Sequence, residues 1–160
     1  MSDDGTGLDT PIVVETAAVS AAVIRLTVPR ADLPKVMGPA IADLVAALRA
    51  QGIPPSGPLF AHHVRRDDAV FDLEVGFPVG GAVTAVGRVV PGRLPAATVV
   101  RATHRGGYGG LAGAWGTLRR WMETHHHVPA ADFWEIYAVG PATAPDPADW
   151  RTVLAQPLTA

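Results

Sequence analysis

The order of local patterns along the chain restricts the fold most. Strand, helix, strand, strand occurs once, and then occurs again. From Pro11 to Val28 the chain is rich in Val, Ile and Thr and reads as one long or bulged strand. Asp32 is the expected helix cap, with Pro34 in the first turn. Leu33, Val36, Met37, Ile41, Leu44, Val45 and Leu48 then follow helical spacing to a stop at Gly52, and Pro39 falls inside that pattern. Leu59 to Arg66 is the next strand, with a turn at Asp67-Asp68. Phe71, Leu73, Val75 and Phe77 alternate with polar or small residues, which predicts a strand burying that face and exposing Asp72.

The second run begins with strands at Ala85–Val90 and Ala96–Thr103, joined by a turn at Pro91-Gly92-Arg93. After the glycines of His104–Gly110, Leu111, Trp115, Leu118 and Met122 share one face of a helix over about 110–126. Strands follow at Phe133–Val139 and Trp150–Leu158, the last read as an edge because of Pro157. Arg25-Leu26-Thr27 matches Arg101-Ala102-Thr103 before each helix, and Ile53-Pro54 matches Val128-Pro129 after it. The expected fold is α+β: duplicated strand–helix–strand–strand units, a mostly antiparallel sheet, two main helices and a ligand cleft at a pseudo-twofold seam. One domain is expected over 11–160, with repeats at about 11–80 and 85–160 behind a flexible leader, 1–10.

Composition removes several functions. The chain has 160 residues, 48% hydrophobic, so a real core is available and wholesale disorder is excluded. It has no cysteine, hence no disulfide, thiolate nucleophile or Cys-ligated metal. Its serines, Ser2, Ser20 and Ser56, lie in no Gly-x-Ser-x-Gly elbow. A net charge of −2 argues against direct nucleic-acid binding. No stretch is long and apolar enough for a membrane span, and the acidic start does not read as a signal peptide; a cytoplasmic location is expected.

Motif by motif, most signals have plain explanations. Gly107-x-Gly109-x-x-Ala112 resembles a dinucleotide fingerprint, but a chain this short lacks the parallel sheet that such a motif serves. Close packing of Gly110, Gly113 and Gly116 explains the glycines instead. His125, His126 and His127 point about 100° apart on a helix and do not converge on a metal. His62 and His63 face opposite sides of a strand. The pairs Arg65-Arg66 and Arg119-Arg120 read as solvated surface charge. No cofactor and no metal site is expected.

Asp132-Phe133-Trp134-Glu135-Ile136-Tyr137 is different. Alternation puts Phe133, Glu135 and Tyr137 on one strand face. A carboxylate among aromatics is costly to bury alone. It either meets solvent or an arginine, or forms the floor of an aromatic pocket for a cationic or polar ligand.

With these residues in view, the chain resembles the GyrI-like domain family, which includes effector-binding domains of AraC- and MerR-type regulators and stand-alone drug-binding proteins. The resemblance runs from about Pro11 to Leu158. It rests on the strand ending Gly76-Phe77-Pro78-Val79 and on His104-Arg105-Gly106-Gly107-Tyr108 leading to Trp115 and Trp121. Trp134-Glu135-Ile136-Tyr137 and Trp150 to Pro157 complete it. It implies that Glu135 matches the acidic residue at the base of a drug pocket, with Tyr137, Phe133, Tyr108, Trp115 and Trp150 as stacking partners. The alignment of the halves makes Phe60 and His62 the counterparts of Glu135 and Tyr137, lining an opposite wall. A stand-alone binder of a hydrophobic or cationic aromatic small molecule is expected, acting by sequestration or sensing, with any regulator or protein partner unspecified. The alternative is a hydrolase that opens cyclopropane-bearing DNA-alkylating antibiotics, with Glu135 and Tyr137 as acid–base groups.

Overall fold

A computed structural model describes residues 7–65 and 69–159; Arg66, the expected turn at Asp67-Asp68 and residues 1–6 of the leader lie outside the described residues. Strand β1 (Ile12–Thr16) is followed by β2 (Val19–Pro29), helix α1 (Leu33–Gln51), β3 (Phe60–Arg65) and β4 (Val70–Pro78). Then come β5 (Val90–Leu94), β6 (Ala97–Arg105), α2 (Leu111–Thr124), β7 (Phe133–Val139) and β8 (Arg151–Pro157). The fold is α+β, and every pairing described below is antiparallel.

The chain forms two compact units. One, Ala17–Ala96, is continuous in sequence and packs α1 on strands in the order β3-β4-β2-β5. The other takes β1 together with everything from Ala97 onward, in the order β1-β6-β8-β7 with α2. Each unit therefore has the same plan, and each borrows its outer strand from the other half of the sequence. Ile12 pairs with Arg101, and Val19 pairs with Leu94.

Several local expectations are corrected; one is the strand expected at Ala85–Val90, where a tight turn bridged by Val86 and Val89 leads into β5. The long first strand is two strands, because its first part pairs with β6 and its second with β4 and β5. Pro91-Gly92-Arg93 is not a turn but the middle of β5. Gly92 fits there because a Cβ would stand 2.6 Å from a Val23 methyl. Strand β8 is not an edge: it runs between β6 and β7, and Pro157 is tolerated at its last position. Asp72 is buried, not exposed, because Arg25 and Thr27 on β2 and Arg65 on β3 close around it. Leu73 and Val75 are buried as expected, whereas Phe71 and Phe77 are partly exposed.

Helix α1 begins where the sequence indicates, although the Asp32 side chain makes no cap bond. It ends at Gly52, whose left-handed backbone (φ 68°) favours glycine. Part of the expected leader is ordered: Leu8 bridges to His104, and Asp9 exchanges hydrogen bonds with Thr103.

The core of the second unit explains how the site residues are aimed. Trp115, Leu118 and Met122 on α2 bury against Val100, Ala102 and Leu154. Side chains of this size contribute about 1.5–3 kcal/mol each when fully buried. Directly paired residues of an antiparallel sheet share a face. Ala102–Leu154–Glu135 and His104–Thr152–Tyr137 are therefore two neighbouring rows under the helix.

Candidate ligand site

Glu135 lies in the middle of β7 and is 8% exposed. The same alternation puts Trp134 on the other face, where it is also buried. Gln156 fixes the approach to β7: its amide nitrogen donates to the carbonyls of Ala130 and Asp132. A register shift between Tyr137 and Val139 marks a bulge at the strand's end, a device that re-aims side chains.

Both carboxylate oxygens of Glu135 are engaged by neutral donors. Trp115 Nε1 donates to Oε2 at 2.7 Å, and the Tyr137 hydroxyl donates to Oε1 at 2.8 Å. Among the described residues no cation pairs with Glu135. Hydrogen bonds to a charged acceptor are the stronger kind, and two of them make this buried carboxylate tenable.

Aromatic rings surround the pair. Tyr108 meets Tyr137 edge-on at 5.7 Å and Trp150 at 4.8 Å. Trp115 meets Phe133 edge to face at 4.9 Å. Burial raises the Tyr137 hydroxyl well above the ordinary phenol range, and the Glu135 carboxylate adds to the shift. Tyr108 is raised for the same two reasons, although the residue is 38% exposed. Two close approaches need glycine. A Cβ on Gly140 would stand 2.8 Å from the Tyr108 hydroxyl, and one on Gly110 would stand 2.9 Å from His104 Cε1. Gly113, by contrast, faces open space, and Gly116 is only in ordinary contact with Arg120.

Of the eight residues singled out from sequence, the structure gathers six in this unit: Glu135, Tyr137, Phe133, Tyr108, Trp115 and Trp150. Phe60 and His62 lie on β3 of the other unit, both buried. The registers give another equivalence within the two plans. Leu26–Leu73–His63 corresponds to Ala102–Leu154–Glu135, which makes His63 the counterpart of Glu135. Matching the halves at Pro54 and Pro129 misses this, because the connection into β3 is longer than that into β7.

Three residues escaped the sequence reading. Arg119 is not solvated surface charge: its guanidinium carbon lies 5.4 Å from the Trp115 ring centre and 5.9 Å from that of Phe133. Its place one turn after Trp115 is the signal that was available. His104 and Thr152 are 3% and 0% exposed, and His104 Nδ1 and Thr152 Oγ1 have no partner among the described residues. The histidines after α2 form a terminal stack, with the Trp121 ring 4.0 Å from His125 and 5.7 Å from His127. Among the described residues, no three His, Asp or Glu side chains gather as a metal site, and no helix is long and apolar enough to cross a membrane.

The whole architecture is found in solved structures. EcmrR in its DNA complex aligns with a TM-score of 0.80 and 22% identity; 96% of this chain is covered, and the chain spans 58% of EcmrR. The separate EcmrR C-terminal domain gives 0.81 at the same identity, covering 94% of this chain and 97% of the domain. SAV2435 bound to tetraphenylphosphonium gives 0.71 with 10% identity, covering 95% of each chain. A hydrolase encoded by lin2189 from Listeria innocua gives 0.65 with 16% identity, covering 93% of this chain and 91% of the hydrolase. At these identities the likeness is one of fold. No curated protein matches the chain. The profile of the GyrI-like small molecule binding domain matches residues 9–158. With nearly its full length matched, the chain belongs to the GyrI-like small molecule binding domain family.

Proposed function

We propose that the protein binds lipophilic cationic small molecules at Glu135 and its surrounding aromatic rings, and acts by sequestration or sensing. One observation carries the reading: a buried carboxylate held by Trp115 and Tyr137, with no cation paired to it among the described residues. A negative charge kept from water gains most from a ligand that brings a positive charge with its own apolar surface. Flat or propeller-shaped aryl cations meet that description, and the Tyr108, Trp150 and Phe133 rings offer faces and edges to stack on. The tetraphenylphosphonium complex of the similarly folded SAV2435 supports the choice of probe. Titration calorimetry with tetraphenylphosphonium tests it. Glu135→Gln keeps the shape, removes the charge, and should weaken binding by roughly ten- to a hundredfold. Unchanged affinity would reject the assignment of Glu135.

The contact between Glu135 and Tyr137 also favours a second reading, hydrolytic opening of an electrophilic cyclopropane. Glu135 would take a proton from the attacking water while Tyr137 gives one to the oxygen that receives the released electron pair. Their 2.8 Å hydrogen bond then returns the proton to Tyr137. With its pKa above the ordinary phenol range, Tyr137 carries its proton at neutral pH. The lin2189 hydrolase, of similar fold, supports testing it. Here Glu135→Gln should abolish turnover of a neutral cyclopropane alkylator while leaving its binding nearly intact.

A further inference from the structure

Arg119 is a cation beside the candidate site whose side chain finds no acceptor among the described residues. Arg25 and Arg65 bind Asp72, Arg88 binds Asp43, Arg120 binds Thr117 and Arg151 binds backbone carbonyls. Arg119 makes no hydrogen bond or ion pair with any described residue, and its Nε is buried without a partner. Its contacts are the faces of Trp115 and Phe133. Glu135 does not serve it: the partners of that carboxylate are the Trp115 indole and the Tyr137 hydroxyl.

A buried donor left unpaired is expensive, and native proteins seldom keep one without a use. Cation–π contact with the two rings restricts the guanidinium and lowers the entropy lost on forming a bond. Nε and its neighbouring terminal nitrogen present two parallel N–H groups, a fork that matches the two oxygens of a carboxylate. The aromatic pair that holds the fork also offers ring surface to whatever carries that carboxylate.

We infer that Arg119 forms an oxyanion subsite at the edge of the aromatic site and selects flat aromatic ligands that carry a carboxylate. The inference rests on the proposed small-molecule site for its aromatic surface, but not on the cation preference of Glu135. Glu135 and Arg119 together give the site one fixed charge of each sign, suited to a zwitterionic or carboxylate-bearing aromatic compound.

2-Naphthoate and 2-naphthamide test this, because they share a ring and a shape and neither carries a cation. The wild-type protein should bind the acid about tenfold more tightly than the amide, followed by titration of Trp fluorescence. Arg119→Gln should bring the two within about twofold, Arg119→Lys should keep part of the preference, and Glu135→Gln should strengthen naphthoate binding by removing a like charge. Tetraphenylphosphonium, titrated in parallel, should bind Arg119→Gln at least as well as wild type, which shows the variant folded. No preference for the acid, or a preference that survives in Arg119→Gln, would overturn the inference even where tetraphenylphosphonium binding still depends on Glu135. Loss of tetraphenylphosphonium binding together with an Arg119-dependent acid preference would overturn the cation reading alone.

Discussion

Trp115 reaches from α2 to β7 and donates its indole N–H to Glu135 across 2.7 Å. One bond thus ties a helix to the strand beneath it through the carboxyl group of the row Ala102–Leu154–Glu135. Trp115→Phe keeps an aromatic ring and deletes the donor. It should cost about 1.5–3 kcal/mol, the range for a hydrogen bond to a charged group, read from urea unfolding.

Both tyrosines of the chain face the Glu135 charge, so tyrosinate absorbance reports the site directly. Neither should titrate at pH 10, the ordinary value for a phenol. Glu135→Gln should lower both titrations, while desolvation keeps Tyr137 above pH 10. The sign for stability follows. A hydroxyl whose pKa is higher folded than unfolded contributes fully below about pH 10, and that contribution is lost as the pH climbs through the folded value. Alkaline unfolding of the wild type should therefore steepen above pH 10.

Asp72 behaves in the opposite sense. Hydrogen bonds from Arg65 and Arg25 hold its carboxyl below the usual carboxylate range, against the upward push of burial. Its contribution is present above about pH 4 and disappears as the pH falls through the lowered folded value. Asp72→Asn should be less stable than wild type at pH 7, and the gap should narrow on acidification to pH 2–3. A constant gap across that range would show that Asp72 acts by packing rather than charge.

Thr152→Val replaces a fully buried hydroxyl that has no partner among the described residues with a methyl of nearly the same size. Removing an unsatisfied polar group should leave stability unchanged or raise it by up to about 1 kcal/mol. A fall of that size, measured by thermal unfolding, would mean that the hydroxyl is satisfied by a bound water.

Much of this was legible from residues alone. Period-two alternation put Glu135 and Tyr137 on one face, and helical spacing put Trp115, Leu118 and Met122 on another. Those are local facts. What could not be read is which neighbour each face meets. Asp72 looked exposed because nothing in its own strand shows that Thr27 and Arg65 stand beside it in the flanking strands. Pro91-Gly92 looked like a turn because the need for a missing Cβ beside Val23 arises only once β5 lies against β2. Arg119 looked solvated because its aromatic neighbours come from its own helix and from a strand fourteen residues later.

The exchange of outer strands has a consequence for synthesis on the ribosome. Strand β1 is made before the Ala17–Ala96 unit, yet its partner β6 begins only at Ala97, after the whole of that unit has been translated. At roughly 5–20 residues per second, β1 waits on the order of ten seconds with both edges unpaired. The Ala17–Ala96 unit needs no later sequence and is free to fold during that interval. The nascent chain therefore passes through a stage in which the Ala17–Ala96 unit is complete in sequence while β1 before it lacks its partner, and Ile12 and Val13 are the residues through which such an intermediate would self-associate.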